Sequence, residues 1–179
     1  PLQYLSFYHV AEHFFESIYN DELIERVKQI ITQPDFSYKR KKDVKSLINK
    51  IGKWVSLRGE TMTFNEQEAL ALTLQNFVEL SDLILKIREY DDSLIEYYKS
   101  NNVIFSGGES VNLEDNDQQT VWLQLSRRIY KTRNAIVHSK ESEKGKYIPS
   151  EHEKILVKEV PLVRFIAELI TIGSSEVIE

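Results

Sequence analysis

Apolar residues in the opening stretch recur every three or four positions rather than every two. Leu2, Leu5, Val10, Phe14, Ile18, Leu23, Val27 and Ile31 follow this spacing, which predicts helix from about residue 2 to about residue 31. Asn20-Asp21 is the expected interruption, with Asp21 as the cap of a second segment. A loop over residues 33–42, containing Pro34, leads to a helix from Asp43 that is expected to bury Leu47, Ile48, Ile51, Trp54 and Val55 and to stop near Gly59. Asn65 followed by Glu68 is a capping-box pattern, and the helix it opens is expected to bury Ala69, Leu72, Phe77, Leu80, Leu83, Ile84 and Ile87. Tyr90-Asp91-Asp92-Ser93 breaks it before a short helix carrying Leu94, Ile95 and Tyr98.

Residues 99–116 contain Asn101-Asn102 and Gly107-Gly108 and read as an exposed connection, with Val103-Ile104-Phe105 able to dock on the core. Asn116 or Asp117 then caps a helix to about residue 138, with Val121, Leu125, Ile129 and Ile136 facing inward. After a polar loop over 139–149, Ser150 with Glu153 opens a last helix through Ile155, Val160, Val163, Ile166 and Ile170 to a stop at Gly173. Pro161 should kink or divide that helix. The pattern predicts one all-α domain over 1–179, a bundle of about five to seven helices.

Composition agrees and narrows the classes. In 179 residues there are only 6 Gly and 4 Pro, too few for a strand-and-turn fold of this length. With no Cys, disulfides and thiolate metal sites are excluded, and a cytoplasmic setting is expected. No apolar run approaches the ~20 residues that span a bilayer, so no membrane partner is expected. The chain opens on Pro1 rather than Met and reads as a segment excised from a longer protein.

A net charge of −5 argues against a broad electrostatic wrap around duplex nucleic acid, so any phosphate contact must be local. Two patches qualify. Lys39, Arg40, Lys41, Lys42 and Lys45 stand with Asp43 alone, and Arg127, Arg128, Lys131, Arg133, Lys140, Lys144 and Lys146 stand against Glu141 and Glu143. Each patch reads either as a solvated helix end or as an RNA-backbone contact. The candidate RNA-binding residues are Lys39, Arg40, Lys41, Lys42, Arg128 and Lys131.

The second patch overlaps Arg133-Asn134-Ala-Ile-Val-His138. On a helix at ~100° per residue, Asn134 and His138 share a face, whereas Arg133 lies about 140° from His138 and meets it only through its long side chain. These residue types suit RNA cleavage without metal. An imidazole serves as base for the 2′-hydroxyl or as acid for the leaving 5′-oxygen. A guanidinium is a fixed partner for the charge that builds on the phosphoryl oxygens. Asn134 either orients the imidazole or donates to a phosphate oxygen. The competing reading is a histidine that finishes a helix beside a solvated arginine.

Tyr130-Lys-Thr-Arg133-Asn134-Ala-Ile-Val-His138-Ser139 resembles the Arg-Asn-x3-His signature of HEPN domains. The opening Tyr4-Leu-Ser-Phe-Tyr8-His-Val-Ala-Glu12-His-Phe-Phe resembles the first helix of the ApeA-like and MauJ-like HEPN group, with its Tyr-x3-Glu pattern. The resemblance implies a helical bundle that dimerises across its motif helices. It also implies metal-independent endoribonuclease activity in defence, toxin or abortive-infection systems, with a fused or partner sensor domain. It assigns catalysis to Arg133, Asn134 and His138, an orienting role to Glu12 and a supporting one to Tyr130, with RNA (tRNA, mRNA or rRNA) as substrate and no cofactor. Some members of the family are catalytically silent dimerisation or RNA- and nucleotide-binding modules.

One His per motif and two proton transfers per cleavage independently favour a homodimer. That dimer would bring two copies of Arg128, Lys131 and Arg133 together, which is tolerable only if carboxylates such as Glu12 interleave or if an RNA phosphate occupies the cleft. A rival motif, His9-Val-Ala-Glu12-His13, has inverted zinc-peptidase spacing but no marked third ligand, His152 being the nearest candidate. The preferred expectation is that His9 and His13 are partly exposed or interface residues and that Glu12 faces Arg133. Trp54, Trp122, Tyr97 and Tyr98 are expected to pack rather than to stack on bases. Gly107-Gly108 lacks the Lys-Ser/Thr of a P-loop, and no Gly-x-Ser-x-Gly elbow is present.

Overall fold

The computed structural model describes residues 1–58, 61–63, 65–138 and 147–175. Within them the chain is an all-α bundle: α1 (Leu2–Glu12), α2 (Phe15–Ile31), α3 (Lys41–Trp54), α4 (Glu66–Phe77), α5 (Leu80–Asp91), α6 (Ser93–Ser100), α7 (Gln118–Val137) and α8 (Pro149–Ser175). Two three-residue strands, β1 (Ser56–Arg58) and β2 (Thr61–Thr63), pair antiparallel between α3 and α4. Only His13 and Phe14 separate α1 from α2, so reading these two as one bent helix gives seven, the upper end of the expected number. The helix expected to stop near Gly59 ends already at Trp54, where Val55 turns extended and leads into β1. Most of the polar loop, residues 139–146, lies outside the described residues.

α4 sits at the centre and packs on both α7 and α8, and α1 lies along α8. On α7 the buried positions Val121, Trp122, Leu125, Arg128, Ile129, Thr132 and Ala135 keep the three-and-four spacing of one helix face. Asp117 caps this helix by accepting from the Thr120 N–H, as expected. Asn65 caps α4 as expected, but Glu68 leaves the capping box to pair with Arg26 at 2.8 Å.

Several expectations are corrected. The first break falls at His13-Phe14, where the Phe14 N–H turns back to the Ala11 carbonyl, while the exposed Asn20 and Asp21 sit inside α2. An exposed Asn or Asp costs a helix little, so packing sets the break. Phe14 lies on Phe77 and Phe15 lies edge-on to Tyr8. Helix 65–90 divides at Val78-Glu79, both extended. α3 buries none of its residues, because it rides on the bundle surface beside α2, and Ile48 is exposed. In 99–116, Val103 and Phe105 are buried but Ile104 is not, and Val111 and Leu113 join the core unforeseen. Gly107, at φ 69°, makes the turn that lets the Val103 N–H donate to the Gly108 carbonyl at 2.7 Å.

α8 starts two residues earlier than the Ser150 cap predicts. Pro149 takes its first position, where no N–H is needed, and the His152 Nδ1 accepts from the Ile148 N–H at 2.9 Å. Pro161 is buried inside α8 and does not divide it. Nor does Gly173 end it. A Cβ there would stand 2.8 Å from the Phe77 carbonyl oxygen, so glycine is what lets α8 pass the end of α4. Gly173→Ala should therefore lower stability by about 1–2 kcal/mol, although Ala normally favours helix over Gly by roughly 1 kcal/mol. A thermal melt reads the sign directly, and a raised Tm would contradict the close approach.

Candidate functional site

Two helices build the site. Tyr4, Tyr8 and Glu12 are spaced four apart on α1, so they form one stripe, and Tyr4 anchors it by donating to the Ile129 carbonyl of α7 at 3.1 Å. Farther along α7, the Arg133 guanidinium lies over the Tyr8 ring, 5.4 Å from its centre. Arg133 Nη2 donates to Glu12 Oε1 at 3.3 Å and Nη1 to Asn134 Oδ1 at 3.1 Å. Glu12 thus faces Arg133. Glu12 Oε2 also lies 3.7 Å from His9 Nε2.

The Arg133 side chain is 17% exposed and that of Glu12 34%, so the pair sits at the edge of the core with its outer side open to solvent. Asn134 gives its carbonyl oxygen to Arg133. Its amide NH2 can still donate, so the arrangement leaves both expected roles open, orienting the imidazole and donating to a phosphate oxygen. His138 is the C-cap of α7 and exposed, its backbone N–H donating to the Asn134 carbonyl at 2.8 Å. Tyr130 is half-buried against the core.

Burial pushes the Tyr8 phenol well above its ordinary range, the Arg133 charge opposes the rise, and the charges of Glu12 and Glu66 together with Tyr130 add to it. The Tyr8 hydroxyl and Arg133 Nε are both buried without a hydrogen-bond partner among the described residues. Sequence reasoning missed Tyr8 as a polar member of the site, although its four-residue spacing from Glu12 was visible.

The positive patches need correction. Arg128 is no RNA contact, since its side chain is fully buried. Its Nε and Nη2 make a bidentate pair with Glu159 at 2.8 and 2.7 Å, and Nη1 donates to the Asn101 and Glu109 carbonyls at 2.7 and 2.9 Å. Lys131 pairs with Glu109 at 2.9 Å, and Arg127 approaches the same carboxylate at 3.6 Å. The Lys131 ammonium hydrogen-bonded to Glu109 holds that carboxyl below its usual range. In the described part of this patch, carboxylates distant in sequence therefore meet all four cations. Lys140, Lys144 and Lys146 lie outside the described residues.

In the first patch, Arg40 pairs with Asp43 at 2.8 Å and donates to the Asp35 carbonyl, and Lys39 lies over the Tyr38 ring. Lys41 and Lys42 are exposed on the first turn of α3. Among the described residues no hydrogen bond, ion pair or ring contact links residues 39–42 to α7. The structure therefore brings together Tyr8, Glu12, Arg133 and Asn134, and it does not bring the first patch to them.

His9 and His13 are exposed, as expected. His152 stacks on Phe105 and accepts from Ile148, engaged away from α1. Among the described residues no group of three or more His, Asp or Glu side chains is arranged to hold a metal. Trp122 and Tyr98 are buried and Trp54 and Tyr97 pack against the core, in the packing roles expected of them. No described helix is long and apolar enough to cross a membrane. Set against family models, curated proteins and solved structures, the chain matches none.

Proposed function

We propose that this chain is a metal-independent endoribonuclease domain of HEPN type that cleaves RNA at a homodimer cleft. The observation that carries the reading is the end of α7. There Arg133 is held at the core edge by Glu12 and Asn134, while His138, five residues on, caps the same helix in solvent. In this reading His138 takes the proton of a 2′-hydroxyl whose oxygen attacks the adjacent phosphorus. The bond to the 5′-oxygen breaks, and a second imidazole, the His138 of the other chain, protonates the leaving oxygen. Arg133 clamps the phosphoryl oxygens. The products are a 2′,3′-cyclic phosphate and a 5′-hydroxyl, and no cofactor takes part. The substrate class is tRNA, mRNA or rRNA, and the setting is a cytoplasmic defence or toxin system in which a fused or partner domain senses the trigger.

Two further observations support the dimer. Leu123, Arg127, Tyr130, Asn134 and Val137 follow a four-three-four-three spacing along α7, and none of them is buried. Leu123 and Val137 are exposed by 43% and 44%, placing apolar contact at both ends of a stripe whose middle carries Tyr130 and Asn134. The charge repulsion expected between two motif helices is also quenched within each chain, by Glu159, Glu109 and Glu12. Because a two-fold interface uses each residue twice, Leu123→Asp should weaken dimerisation by about tenfold or more and lower cleavage with it. Sedimentation and an RNA cleavage assay on the same samples test this. A monomeric Leu123→Asp chain that cleaves as wild type does would detach the chemistry from the dimer.

A further inference from the structure

Tyr8 is 0% exposed, and its hydroxyl has no hydrogen-bond partner among the described residues. A buried polar atom without a partner is uncommon in folded proteins and costs stability, so one at a candidate site asks for a function. Its surroundings suggest which. The ring lies under the Arg133 guanidinium, and Glu12, one turn along α1 from Tyr8, holds that guanidinium by a single contact of 3.3 Å. Charge-assisted N–H···O bonds run about 2.7–2.9 Å, so this one is long and readily exchanged. A phosphate oxygen on the open side of Arg133 competes with Glu12 for it. The exchange takes from Glu12 its guanidinium donor and leaves the carboxylate with solvent on its outer side and His9 Nε2 at 3.7 Å, so its inner side can take a new donor.

We propose that Tyr8 is a positioning residue of this site: when a phosphate group draws Arg133 from Glu12, the Tyr8 hydroxyl donates to the carboxylate that Arg133 leaves. The identity of the phosphate as RNA rests on the ribonuclease reading, whereas the exchange of partners does not. A phenol is protonated at neutral pH and able to donate, and burial only widens that margin. The hydroxyl is idle in the free chain and engaged in the complex, so removing it should weaken binding without weakening the fold.

The test compares wild type, Tyr8→Phe, Glu12→Gln and the double variant. It reads the melting temperature without ligand, the Kd for a short 2′-O-methyl RNA oligonucleotide that cannot be cleaved, and the cleavage of unmodified RNA. Tyr8→Phe should melt at or above the wild-type temperature and bind the oligonucleotide about tenfold more weakly, which is the worth of one hydrogen bond to a charged group. In the Glu12→Gln background, Tyr8→Phe should change the affinity by less than about twofold, because the carboxylate it serves is gone. Unchanged affinity in Tyr8→Phe overturns the proposal, as does a lowered Tm with affinity lost equally in both backgrounds. Wild type that binds the oligonucleotide without cleaving RNA defeats the ribonuclease reading and leaves the Tyr8 proposal to these comparisons. Wild type that does neither defeats both.

Discussion

Arg133→Ala and His138→Ala should each lower RNA cleavage by about 100-fold or more while leaving the helical fold in place. Arg133 is the one cation of the motif held toward the open edge of the site, and its removal takes away the group placed to meet charge on a phosphoryl oxygen. The structural cost is small. Its pair with Glu12 is long and partly exposed, a kind of ion pair worth on the order of 1 kcal/mol or less. His138 is an exposed C-cap that, among the described residues, is tied to α7 through its backbone N–H, which alanine keeps. Circular dichroism melts beside initial-rate assays separate the two effects. Because Arg133 also binds phosphate in the ground state, its replacement should raise KM as well as lower kcat, whereas His138→Ala should act on kcat. Cleavage within a few-fold of wild type for both variants would make the chain a silent binding or dimerisation module.

The largest effect on stability is expected from Arg128→Ala. This guanidinium is fully buried, paired bidentately with a Glu159 that is itself 1% exposed, and flanked by the Tyr97 and Tyr98 rings. Alanine would leave the Glu159 carboxylate buried and unpaired and would strip a shared donor from the Asn101 and Glu109 carbonyls. Breaking one side of a buried pair costs about 3–5 kcal/mol, and here that corresponds to a fall in Tm of roughly 10 °C. Replacing both partners with apolar residues of similar size, Arg128→Met with Glu159→Leu, should cost less than Arg128→Ala alone, since no lone charge remains. Thermal melts of the three chains decide it, and a loss below about 1 kcal/mol in Arg128→Ala would contradict the buried pair. The same residue fixes α7 against α8 and the 101–109 connection, so it sets the position of Arg133 five residues on. Arg128→Ala should thus lose activity by unfolding rather than by weakened phosphate contact.

The residues most legible in the sequence were those whose neighbours are local. The all-α pattern and the Asn65 and Asp117 caps are decided within a few residues, and the structure has them where they were expected. Less legible was anything decided by a distant partner. Arg128 looked like surface charge until Glu159 met it from α8, and Lys131 until Glu109 reached it across the connection before α7. Gly173 looked like a helix stop because nothing local shows Phe77 against it. α3 shows the opposite error, since its amphipathic pattern promised a buried face while its place on the surface leaves Ile48 in solvent. At the site, Glu12 opposite Arg133 was expected, and the unpartnered hydroxyl of Tyr8, whose ring lies under Arg133, was not.

The central claim is that this helix end cleaves RNA through a 2′-hydroxyl attack that requires no metal. The most direct measurement is to incubate the purified chain with total RNA or tRNA in EDTA and determine the ends of the fragments. The account predicts cleavage with 2′,3′-cyclic phosphate and 5′-hydroxyl ends, absent in His138→Ala. Cleavage that requires an added divalent metal, or that leaves 5′-phosphate ends, would contradict it.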